Sequence, residues 1–161
     1  MRIITKLKTV LSKLIGRQVP RMPNFGLLLC CLLASGQLQA AESRLVITLQ
    51  GISNDVGNIR ASLYQDQETF RKENKALKTL SIPAAKGDTK LVFNGLPPGR
   101  YAIMAYHDEN SDEKLNLRFG MFPVEGYGLS NNTKVMGPPK FVDSAFDVVE
   151  PETTIDIRLT Y

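Results

Sequence analysis

The C-terminal segment alternates with period two: Ile155, Ile157, Leu159 and Tyr161 are separated by Asp156, Arg158 and Thr160. Successive side chains of a strand point to opposite faces, so this pattern predicts a strand with one buried face and one wet face. The front of the chain repeats it. Leu45, Ile47 and Leu49 share a face within 45–51, and Ile59, Ala61 and Leu63 share one within 58–64. Asn54-Asp55-Val56-Gly57 lies between them and carries turn chemistry. The two segments are therefore expected to form a hairpin.

Shorter strands follow from Leu80 and Ile82, from Lys90–Asn94 and from Ser144–Val149, the last ended by Glu150-Pro151. Residues 65–78 are polar apart from an isolated Phe70 and Leu77 and read as a surface loop with room for one helical turn. In Gly95-Leu96-Pro97-Pro98-Gly99 the prolines fix φ and cannot donate to a ladder, while Gly99 permits positive φ. This tight connection leads into Tyr101–Tyr106. There Tyr101, Ile103 and Ala105 share one face and Ala102, Met104 and Tyr106 the other. Apolar side chains on both faces mark a central strand. Seven short strands separated by turns, with no competing amphipathic helix, predict an all-β fold: a single antiparallel β-sandwich of the immunoglobulin-like kind.

Charge divides the chain. Residues 1–40 contain Arg2, Lys6, Lys8, Lys13, Arg17 and Arg21 and no acid, whereas 41–161 holds 14 basic and 16 acidic residues. The basicity belongs to the leader, and the remainder lacks the cationic excess that phosphate binding requires, which excludes a nucleic-acid partner. Phe25–Ala34 is an apolar run of ten residues, shorter than the roughly 20 needed to span a bilayer and suited to a signal peptide. Residues 1–40 are read as that signal peptide, with a long basic start, a possible internal start at Met22, and cleavage after Ala40 or Ala41. An uncleaved N-terminal anchor is the alternative. The mature domain, 41–161, would then be periplasmic or secreted, without a transmembrane segment. Both cysteines, Cys30 and Cys31, fall in the leader. The domain must fold on its apolar core alone, which a chain of roughly 120 residues can do.

Several stretches of this domain occur together in one family. Phe93-Asn-Gly-Leu-Pro-Pro-Gly-Arg-Tyr-Ala102, Tyr106-His-Asp-Glu-Asn110, Pro123–Asn132, Pro138-Pro-Lys-Phe141 and Ala145-Phe146 make the domain resemble the DUF2141 family of exported bacterial proteins. The resemblance implies export and a prealbumin-like or carboxypeptidase-regulatory-like sandwich, and it implies no activity.

One constellation has the residue types for chemistry. Asp108, Asn110 and Asp112 alternate as the first oxygens of a calcium loop do, and Lys114 could add its carbonyl and Asn116 its side-chain oxygen. Three departures stand against this. Glu113 takes the place of the glycine in the family pattern, Asn116 the place of its last acid, and Phe119 the place of the closing Glu of an EF-hand. The competing reading is a solvated Asx-rich turn held by its own backbone. If calcium binds, it is expected to be weak and structural; otherwise the domain has no cofactor. His107 is the one histidine, and no nucleophile motif accompanies it, so a hydrolase built on His107 with Asp108 or Glu125 is a minor alternative.

A second candidate is a binding surface of Met121, Phe122 and Tyr127 in the Gly/Pro-rich loop, with His107 and Glu125 nearby. The competing reading has that loop fold back to cap the core. Function is accordingly read as non-enzymatic binding of an envelope protein or glycan through loops 107–140. A small outer-membrane barrel is set aside, because its strands need roughly 9–11 residues and aromatic girdles.

Overall fold

A computed structural model describes residues 43–134 and 137–161; the expected signal peptide lies outside the described residues. Ten strands follow one another: β1 (Ser43–Ile52), β2 (Asn58–Tyr64), β3 (Lys78–Pro83), β4 (Gly87–Leu96), β5 (Gly99–Asp108), β6 (Leu117–Arg118), β7 (Phe122–Pro123), β8 (Tyr127–Leu129), β9 (Phe146–Val148) and β10 (Glu152–Arg158). A one-turn helix, α1 (Phe141–Ser144), and two 3₁₀ turns are the only helical pieces among the described residues.

The strands form two packed sheets. The first has the order β10-β1-β4 and the second β3-β2-β5-β8, with β9 also pairing β5; β6 and β7 make a separate small hairpin. The fold is thus the expected all-β sandwich, with more strands than the seven legible in sequence. The added ones are two or three residues long, too short to show a period.

Alternation positions the core as read. Leu45, Ile47 and Leu49 from the first sheet meet Ile59, Ala61, Leu63, Ile103 and Ala105 from the second, all without exposed surface. β5 is central, with β2 on one side and β8 and β9 sharing the other. Its opposite face joins a second cluster of Tyr64, Phe70, Ala102 and Leu129. Phe70 reaches this cluster from the 65–77 loop and stands edge-on to Tyr64 at 5.4 Å and to Phe141 at 6.0 Å. The described residues form one compact unit holding both clusters, so the apolar core is complete within them.

Two expectations need correction. First, β1 and β2 do not form a hairpin: β1 pairs β10 and β4, while β2 pairs β3 and β5. Residues 53–57 are an arch that carries the chain between sheets. Period two and turn chemistry are the same for a hairpin and an arch, and only the packing of the two inner faces separates them. Second, the sandwich is not wholly antiparallel, because β1 and β10 run parallel from Arg44 beside Glu152 to Gln50 beside Arg158. Parallel neighbours need a long crossover, and here the rest of the domain supplies it.

The arch is fixed by Gly57, at φ +72°. A Cβ there would lie 2.0 Å from the Asp108 carbonyl oxygen, so no other residue fits where the arch passes the end of β5.

Candidate functional site

β5 delivers His107 and Asp108 to the end of the sandwich, and both are buried. His107 Nε2 lies 2.7 Å from the Val56 carbonyl oxygen, which can only accept, so Nε2 carries a proton. Nδ1, 2.8 Å from Tyr161 Oη, then accepts from that hydroxyl in the neutral ring. Tyr161 Oη in turn accepts from the Ser53 amide at 3.0 Å. His107 thereby ties the 53–57 arch to the last residue of the chain. Both ring nitrogens are occupied by structural partners, so the ring is not presented to a substrate. His107 is thus a strand-end residue hydrogen-bonded to its neighbouring segments.

Asp108 organises the following loop. Its Oδ1 accepts from the Asp112 amide at 3.1 Å and its Oδ2 from the Glu113 amide at 3.0 Å. Asn110 Oδ1 also accepts from the Asp112 amide, and Asp112 Oδ1 from that of Lys114. Asn116 donates its side-chain amide to Asp112 Oδ2 and its backbone amide to Glu125 Oε2, while Glu125 Oε1 takes the Glu109 amide. Asn116 holds the Asp112 carboxyl below its usual range, with Asn110 and the Lys114 amide adding to the effect. Glu113, in the place of the family's glycine, adopts φ +62°, the conformation a glycine would take.

The sequence-proposed metal ligands Asp108, Asn110, Asp112, Lys114 and Asn116 are brought together, with Glu125 beside them. The side-chain oxygens of Asp108, Asn110, Asp112 and Asn116 accept from N–H donors of the loop itself. Each Asp108 oxygen accepts one N–H and keeps a second lone pair. Among the described residues no group of three or more His, Cys, Asp and Glu side chains is arranged to hold a metal. The arrangement is that of a self-capped Asx loop.

The second candidate separates. His107 and Glu125 are committed as described, whereas Met121, Phe122 and Tyr127 line a groove of about 660 Å³ on the outer face of the second sheet. Its floor is Ser62 and Tyr64 from β2, Met104 and Tyr106 from β5, and Tyr127 from β8. The β6–β7 hairpin and Leu115 make one wall, Pro138 and Pro139 another, and Arg71, Glu73, Glu113 and Lys114 bring charge. The hairpin stands out from the domain and does not cap the core: Met121 is 70% and Phe122 60% exposed. Its turn is closed by the Met121 amide on the Arg118 carbonyl, with Phe119 at φ +55° and Gly120 at φ +69°. Two successive positive φ values suit Asn-Gly, so the bulky Phe119, 84% exposed, sits there at a cost.

Sequence reasoning missed the polar group beside the floor. Arg60 donates from Nε and Nη2 to Glu73 Oε1 at 3.0 and 2.6 Å, and Tyr106 donates to Glu73 Oε2 at 2.7 Å. Burial opposes the charge on Arg60, but the Glu73 carboxylate outweighs it and raises the guanidinium's pKa. Burial, joined by the Glu73 carboxylate, pushes the Tyr106 phenol well above its ordinary value, and burial pushes Tyr64 up to about 12. The one sequence signal for this face was the apolar set Ala102, Met104 and Tyr106, opposite the core-facing side of β5.

Residues 47–156 match the family described as "Uncharacterized protein conserved in bacteria (DUF2141)". The chain belongs to that family. The match spans most of the sandwich, and the Asx loop and all of the groove lining lie inside it. No curated protein and no solved structure matches this DUF2141 chain.

Proposed function

We propose that the mature domain is an exported, non-enzymatic binding module whose ligand lies in the groove between the β6–β7 hairpin and the outer face of the second sheet. The observation that carries this reading is the groove itself. It is concave and of ligand size, and it is lined mainly by aromatic and apolar side chains with a few convergent polar groups. The exposed Met121 and Phe122 support it, because neighbouring apolar side chains left in water mark interaction sites. The basic leader with its short apolar run supports export, to the periplasm or beyond. An envelope component is therefore the natural source of the ligand, whether protein, glycan or lipid.

The test is a titration of ¹⁵N-labelled residues 41–161 with a detergent-free envelope extract. Amide shifts should change in β5, β8 and residues 113–123. Changes confined to other surfaces, or none, would overturn the reading. The hydrolase alternative would replace it if a substrate screen found a turnover that His107→Ala abolished.

A further inference from the structure

We propose that the groove takes a single-chain amphiphile with a carboxylate head, an inference that rests on the groove being the ligand site. The body of the ligand follows from the lining. Met104, Tyr106, Met121 and Phe122 offer a continuous apolar and aromatic surface, and the unbranched thioethers adapt to a flexible chain better than a branched core would. A methylene chain lying there would cover the exposed faces of Met121 and Phe122 and remove apolar surface from water.

The head follows from charge. Four side chains charged at neutral pH line the groove: Glu73, Glu113, Arg71 and Lys114. Both carboxylates are already partnered. Glu73 is held at both oxygens by Arg60 and Tyr106, and Glu113 lies 3.5 Å from Arg60. Neither cation has a carboxylate within ion-pairing distance among the described residues. The groove therefore presents two uncommitted positive charges beside an apolar floor, and a guanidinium grips a carboxylate through two parallel hydrogen bonds. A cationic head would meet two like charges and find the carboxylates engaged.

The test is calorimetric titration of residues 41–161 with dodecanoate, dodecyltrimethylammonium and dodecyl maltoside, each below its critical micelle concentration. Dodecanoate should bind saturably, and the cationic chain about tenfold or more weakly, the equivalent of one ion pair lost and like charge gained. The double variant Arg71→Glu/Lys114→Glu, both at exposed positions, should invert that order while its circular dichroism stays unchanged. Met104→Lys should weaken all three chains. Equal binding of both charged heads, or tightest binding of the maltoside, would overturn the carboxylate assignment and leave the groove standing. Groove amide shifts with envelope extract but no binding of any chain would overturn the amphiphile itself. An extract that moves no groove amide would remove the site on which the inference rests.

Discussion

Asp108→Ala separates the two meanings of the loop that follows β5. In the wild type the buried carboxylate accepts the amides of Asp112 and Glu113. Hydrogen bonds to a charged group contribute roughly 1.5–3 kcal/mol each, and the lower end applies because residues 111–114 are exposed and their amides can be rehydrated. Two such bonds give a loss of about 3 kcal/mol, a large share of the roughly 5–15 kcal/mol that holds a domain folded. For a domain of this size the melting midpoint should fall by about 10–15 °C. Asp108→Asn should recover no more than about half, since its amide can accept from one N–H while its own NH₂ faces the other. The assay is urea unfolding and a thermal melt of residues 41–161, each run in chelator and in millimolar calcium. The hydrogen-bond account requires the same loss in both conditions and no calcium effect on the wild type. If Asp108→Ala cost less than about 1 kcal/mol in chelator, while calcium raised the wild-type midpoint and not the variant's, the carboxylate would be serving a cation and the reasoning would fail.

Other perturbations address the strained turns, the second core and the buried phenols. Glu113→Gly should raise stability by about 1 kcal/mol in urea unfolding, because it removes a Cβ from a left-handed position and gives up only a 3.5 Å ion pair whose carboxylate side chain is 74% exposed. Phe119→Asn should do the same for the hairpin turn; a destabilised variant would mean that the Phe119 ring makes a contact worth more than the strain. Phe70→Ala should cost about 3–5 kcal/mol, read by circular dichroism melting, and a loss below 1 kcal/mol would show that the 65–77 loop is not docked. The Tyr64 and Tyr106 phenols are raised in the folded state, so the unfolded chain ionises first as pH climbs. Stability should hold up to about pH 10 and fall from there through pH 12 and beyond. Absorbance at 295 nm should show the Tyr64 and Tyr106 phenols ionising above their ordinary range; ionisation of both near pH 10 would contradict it.

Much of the scaffold was legible because strand alternation is a local property. Leu45, Ile47, Leu49, Ile59, Ala61, Leu63, Ile103 and Ala105 all face the core as the period-two reading places them. The apolar outer face of β5 marked it as central, and the Asx residues of 108–116 marked a turn closed by its own backbone. Phe70 was less legible. It stands alone in a polar stretch, and nothing local shows that a loop folds back to bury it against Tyr64 and Phe141. The groove was half legible. Met121, Phe122 and Tyr127 were visible as an apolar loop, but Tyr64, Met104 and Glu73 come from segments distant in sequence.

The sequence by itself determined the two-faced strands, the cysteine-free core, the basic leader and the family, since each depends on residue order or composition alone. Tertiary structure decided everything that depends on which strands become neighbours. It made 53–57 an arch instead of a hairpin, set the last strand parallel to the first, and committed His107 and Glu125 to the scaffold. It also gathered the groove from five separate segments. The physical reason is that side-chain periodicity fixes the face a residue occupies, while sheet order and loop docking follow from long-range burial that no local pattern encodes.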